Sequence, residues 1–145
     1  LLSKKTTFWI NGNLKFKPAL EIIFFGSPNW RTIAWLISPA INLSTVNEAF
    51  LSFETSNSFA DGSDLEVLIS SDWNGEEASI GMATWYALPA NIVKDSDDYS
   101  SWVHSSYLNL SHYTGNIYIA FKYTGSGHEN FDGTFELDTI KIIAN

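Results

Sequence analysis

The 145-residue chain contains no cysteine. That excludes a disulfide framework and any thiolate metal site, and it leaves the redox compartment open. No apolar run approaches the roughly 18 residues of a membrane-spanning helix, so membrane insertion is not expected. The opening residues, LLSKKTTFWI, lack the basic, apolar, small-residue order of a signal peptide. Their abrupt start suggests a domain cut from a longer chain, with other domains of that chain as neighbours. Basic side chains are scarce, with 8 Lys and Arg against 16 Asp and Glu. They are also uneven. Residues 1–31 hold Lys4, Lys5, Lys15, Lys17 and Arg31 against Glu21 alone, whereas the rest holds Lys94, Lys122 and Lys141 against fifteen acids. Such an acidic body argues against general nucleic-acid binding, which depends on many phosphate-neutralising cations.

Catalytic signatures are missing as well. His104, His112 and His128 are not at metal-ligand spacing, and there is no HExxH pair. No GxSxG elbow and no glycine-rich phosphate loop occurs. Sixteen acids always permit some carboxylate pair in space, but nothing in their order supports a glycosidase. The expectation is a protein that is not an enzyme.

What is abundant is aromatic surface, 15% of residues with six tryptophans, and period-2 alternation. In NIYIAFKYT, Ile117, Ile119, Phe121 and Tyr123 share one face while Asn116, Tyr118, Ala120 and Lys122 share the other. Leu51 and Phe53 alternate with Ser52 and Glu54, and Leu65, Val67 and Ile69 are interleaved with Glu66 and Ser70. This is the pattern of strands with one buried face. Turn-forming clusters separate these runs. About nine strands are predicted, over 6–10, 14–25, 33–42, 49–57, 64–71, 83–88, 101–110, 116–124 and 134–143. Residues 90–100 suggest at most a short helical turn. Many strands, few helices and two connections too long for hairpins predict an all-β, two-sheet antiparallel β-sandwich with jelly-roll topology, occupying residues 1–145 as a single domain. A chain this long buries about 70% of its unfolded surface and needs no staple. In the last strand, Phe135 and Leu137 share a face, and Ile140 and Ile142 continue the series one step out of phase. One extra residue near Asp138 would restore the register, as a β-bulge does; an end strand covered on both faces is the alternative.

Three segments in order, AWLISPAINLS (34–44) with AFLSFETS, SSWVHSSYLNLSHYTGNIYIAFKYTGSG, and GTFELDTIKI, carry a family likeness. Over roughly residues 30–143 the chain resembles the choice-of-anchor J and cleaved-adhesin group of jelly-roll domains in secreted proteins of Bacteroidetes. Such domains accompany secreted proteases, nucleases and polysaccharide-degrading enzymes, and are related in shape to carbohydrate-binding modules. The resemblance implies a secreted or cell-surface location, and it implies packing roles for Trp35, Trp85 and Trp102. It also implies a structural calcium ion at Asp138, because ELDTIKI is similar to the last strand of jelly-roll modules in which an aspartate at that place ligates calcium. Asp61 and Asp64 form a second acidic turn without an EF-hand pattern.

Trp9, Trp30 and Trp73 are less constrained and sit near turns. Sugars present CH-rich faces that stack on indoles, and hydroxyls that need polar partners. The segment DWNG offers Trp73 as a platform with Asp72 and Asn74 beside it; GSPNWRT offers Trp30 with Arg31, a cation suited to a carboxylate or sulfate; GHENFDG adds His128, Asn130 and Phe131. The functional expectation is a non-catalytic carbohydrate-binding module of an exported polysaccharide-acting protein. Its partner would be a neutral polysaccharide by default, or an acidic or sulfated one through the basic N-terminal segment. The rival is a structural spacer or adhesin-type domain without a glycan ligand. Trp73 itself has two readings: a ligand platform, or a cap that buries about 200 Å² of ring at the end of the sandwich.

Overall fold

The computed structural model of the chain describes residues 20–22, 30–58, 62–99 and 101–145. Among the described residues ten strands follow one another: β1 (Leu20–Ile22), β2 (Thr32–Ile37), β3 (Ile41–Asn42), β4 (Ala49–Ser58), β5 (Asp64–Ser70), β6 (Tyr86–Ala87), β7 (Val103–His104), β8 (Leu108–Asn109), β9 (Asn116–Gly125) and β10 (Thr134–Ala144). Among the described residues the only helical element is a 3-10 turn at Glu77–Ser79. The strands form two five-stranded sheets with antiparallel pairing. One has the order β1-β10-β4-β7, with β8 also on β4; the other has the order β2-β9-β5-β6, with β3 also on β9.

The predicted alternation explains why these sheets stack. Leu51 and Phe53 of β4, with Phe135 and Leu137 of β10, face Leu65, Val67 and Ile69 of β5 and Ile117, Ile119, Phe121 and Tyr123 of β9 in one buried cluster. Rings meet edge to face across the interface, Phe53 on Phe121 at 5.0 Å and Tyr123 with Phe135 at 6.2 Å. The Tyr123 hydroxyl donates to the Gly133 carbonyl at 2.9 Å, tying the end of β9 to the start of β10. Gly125 lies beneath that phenol, where a Cβ would collide with it. The molecule is therefore an all-β, two-sheet antiparallel sandwich.

Several predicted strands are shorter than their periodicity suggests. The run over 33–42 splits at Pro39, which has no N–H for the ladder. Ser38 maintains contact across the break: its N–H donates to the Ile119 carbonyl at 2.8 Å, and its hydroxyl accepts the Ile119 N–H at 2.9 Å. The run over 101–110 splits at Ser105 and Ser106, the latter at φ 70°. There the Ser105 hydroxyl takes the Phe53 N–H at 2.9 Å. Of 83–88 only Tyr86–Ala87 is strand, and 90–100 forms turns rather than a helical turn among its described residues. The predicted strand 6–10, and 14–25 apart from Leu20–Ile22, lie outside the described residues. The expected irregularity in the last strand is present. Asp138 pairs with Glu54 and Lys141 with Ser52, so three steps on β10 match two on β4. The extra residue falls where Thr139 takes φ 55°, unusual for a β-branched side chain.

Candidate functional site

Strand register sorts the candidate residues into two groups. Thr32 at the start of β2 pairs with Gly125 at the end of β9, and Asp64 at the start of β5 pairs with Thr124. Trp30, Arg31 and the 126–133 loop thus share one end of the sandwich. Ser70 at the other end of β5 pairs with Tyr118, so Trp73 lies about 20 Å away at roughly 3.3 Å per strand residue. Two of the three loops nominated from the sequence converge, and the third does not.

At the first end, Trp30 is 80% exposed, and its ring lies on the His128 imidazole with centroids 3.9 Å apart and planes 17° from parallel. The loop beneath is well defined by hydrogen bonds. The Ser126 hydroxyl accepts the His128 N–H at 3.0 Å, the His128 carbonyl accepts the Phe131 N–H at 3.1 Å, and the Ser126 N–H returns to the Phe131 carbonyl. Asn130 turns the chain at φ 69°, a conformation asparagine tolerates better than most side chains. Phe131 is half-buried and Arg31 is exposed. His128 Nε2 is buried without a hydrogen-bond partner. One face of an indole is thus held against a fixed ring while the other faces solvent.

At the second end, the polar side chains expected to meet a ligand make hydrogen bonds within the loop. One Asp72 carboxylate oxygen accepts the Ser70 hydroxyl and the Thr84 N–H, both at 2.8 Å. Hydrogen bonds from Thr84, then Ser70, hold this carboxyl below its ordinary value. Asn74 accepts the Glu76 N–H at 2.9 Å and the Ser79 hydroxyl. Trp73 is half-buried and its Nε1–H donates to the Glu76 carbonyl at 3.1 Å. Its ring meets Tyr118 edge-on at 4.8 Å and Trp85 at 5.9 Å, and Trp85 meets Trp35 at 5.3 Å. Lys122 sits 5.7 Å over Trp35 and pairs with Glu66 at 2.6 Å. Together these rings form a layer on the outer face of the β2-β9-β5-β6 sheet. Leu68, Ser70 and Ala120 occupy that outer face by register and are nevertheless buried. Trp35 and Trp85 pack as expected, whereas Trp102 leaves 45% of its surface exposed.

Asp138 faces Glu54 across the ladder, and its carboxylate accepts the Thr139 N–H at 2.6 Å. Calcium takes six to eight oxygens. Among the described residues, no group of three or more His, Asp or Glu is placed to hold a metal ion. Trp9, Asp61 and the four N-terminal lysines lie outside the described residues.

Sequence reasoning did not nominate the 90–95 segment, yet it also reaches the Trp30 end, running beside β4 toward Ser58. Val93 N–H donates to Thr55 Oγ1 at 3.0 Å, and Asn57 Nδ2 to the Lys94 carbonyl at 3.0 Å. No spacing in ANIVKD foretells this, because the partners are 37 and 38 residues away. Compared with protein-family models, the sequence matches none, and compared with curated proteins it again matches none.

Proposed function

We propose that the protein is a non-catalytic carbohydrate-binding module of an exported polysaccharide-acting protein, with its site at the Trp30 end of the sandwich. One observation carries this reading: an indole 80% exposed and stacked at 3.9 Å on His128. Singly exposed apolar side chains are ordinary. Trp30 differs because its rear face is already packed, so little ordering is left for a ligand to impose. A sugar ring covering about 100 Å² of the free face would gain roughly 2.5 kcal/mol before association costs. Arg31, the next residue in the chain and exposed, is a donor for hydroxyls. The acidic body favours a neutral glycan, while Arg31 leaves an acidic or sulfated chain as the variant reading. Jelly-roll connectivity belongs to the same proposal. It is supported by the strand orders, in which the successive long strands β4 and β5, and β9 and β10, sit in opposite sheets.

The test is affinity electrophoresis against soluble neutral and sulfated polysaccharides. Trp30→Ala is expected to lose retardation by at least about tenfold, the equivalent of 1.4 kcal/mol, with an unchanged melting temperature. A variant retarded as strongly as the parent would remove Trp30 from the site. The structural or adhesin-type reading draws on Trp102 and Tyr107, exposed on or beside the edge strands β7 and β8. A folded parent retarded by no polysaccharide would favour it.

A further inference from the structure

A groove of about 570 Å³ opens between the start of β5 and the 90–95 segment, lined by Ser63, Asp64, Asn91, Lys94, Asp95 and Phe135 among others. Its volume falls within the roughly 300–1,000 Å³ of small-ligand sites. Its far wall is fixed independently of any ligand. Besides the bonds from Val93 and to Lys94, Asn91 donates its N–H to the Ser105 carbonyl at 3.0 Å and its amide to the His104 carbonyl at 3.2 Å. Lys94 N–H donates to Asp97 at 2.7 Å. Across the groove, Ser63 is only 8% exposed, and its hydroxyl is buried with no hydrogen-bond partner. Leaving a buried hydroxyl unsatisfied is costly.

The groove adjoins the Trp30 end. Gly62 N–H donates to Asp95 at 3.3 Å, and Gly62 Cα backs onto the 128–131 loop, where a Cβ would come within 3.3 Å of the Asn130 carbonyl and 3.7 Å of the Phe131 ring. That loop carries His128 and, stacked on it, Trp30.

We infer that this groove is a hydroxyl-reading subsite for a sugar unit of a neutral glycan, adjoining the Trp30 platform; the inference rests on the carbohydrate-binding reading above. Two acidic residues, Asp64 and Asp95, and one basic residue, Lys94, line it. Carboxylates accept strong hydrogen bonds from sugar hydroxyls, whereas a uronate or sulfate placed there would meet like charge. Buried Leu65 and Phe135 close the floor of the groove, half-buried Ala90 and Ile92 offer an apolar edge to the ring's CH face, and the unpartnered Ser63 hydroxyl lies in the wall.

The test uses the full chain and two substitutions away from the Trp30 stack. Asp64→Ala removes an acceptor, and Lys94→Trp fills the groove from a side chain whose backbone keeps its bonds. Retardation is measured with laminarin, xylan and galactomannan as neutral probes and dextran sulfate as an anionic one, with thermal melts to establish folding. Both variants are expected to melt like the parent and to bind the retarding neutral probe at least about tenfold more weakly. Loss with Trp30→Ala but not with the groove variants would overturn the groove and leave the carbohydrate reading standing. Loss with the groove variants alone would keep the groove and overturn Trp30 as platform. A parent retarded only by dextran sulfate, unaffected by Asp64→Ala and Lys94→Trp, would overturn the neutral-sugar assignment. A folded parent retarded by none would overturn both.

Discussion

Trp73 illustrates how a side chain that looks like a ligand platform can be bound by its neighbours. Its indole N–H is used by Glu76, one edge by Tyr118 and another by Trp85. Truncation removes half-buried ring area, so Trp73→Ala is expected to destabilise the domain by about 2–4 kcal/mol in urea unfolding, while retardation by polysaccharide persists. Equal stability with lost retardation would return Trp73 to the binding surface. Asp72 supports the same loop. Its carboxyl is held low by Thr84 and Ser70, so an NMR titration is expected to place its midpoint below the usual Asp value of about 3.9. A group with a depressed folded pKa contributes stability that is present above its unfolded value and lost as pH falls through the folded one. A midpoint at or above the usual value would mean those hydrogen bonds are not made in solution.

At the scale of elements, side-chain hydroxyls repair the ladders where strands break. Ser38 accepts the Ile119 N–H beside Pro39, and Ser105 accepts the Phe53 N–H beside Ser106. Ser38→Ala would leave the Ile119 N–H buried and unpaired, so a loss of about 1–3 kcal/mol is expected in chemical denaturation, with the fold retained. A loss below about 0.5 kcal/mol would show that water reaches the break. These repairs also explain what the sequence made legible. Period-2 alternation in 49–57, 64–71, 116–124 and 134–143 located the four long strands, and the phase slip before Ile140 located the bulge. The breaks at Pro39 and Ser105 were not legible, because each shifts the inward face by one residue: Ser38 meets Ile119 and the next inward residue, Ile41, pairs with Ile117, while Ser105 meets Phe53 and Leu108 pairs with Leu51. The candidate site was legible only in part. Exposed Trp30 and the His128 loop were visible as turn-borne ring systems, but their stacking joins positions almost a hundred residues apart. The 90–95 wall of the groove depends on contacts with β4 and β7 that no local pattern records.

For the whole molecule, the two sheets bury one continuous apolar cluster with rings meeting across it. Because the described residues gather no calcium ligand set around Asp138, the melting temperature is expected to be the same in millimolar calcium and in excess EDTA. A rise of several degrees with calcium would put an ion on the fold after all. Function, on this view, depends on the end of the sandwich where β2, β5 and β10 begin and β4 and β9 finish.

The separation of the indoles has an optical consequence. Trp35, Trp73 and Trp85 lie within 6 Å of one another in sequence of contact, at 5.3 and 5.9 Å, close enough for their excited states to couple. Trp30 stands at the opposite end of the sheet, against water and an imidazole. Four of the described tryptophans thus divide into a coupled set whose circular dichroism reports the integrity of one sheet face, and a solvated emitter whose colour and quenching report what touches the far end; Trp102 lies apart, beside β7.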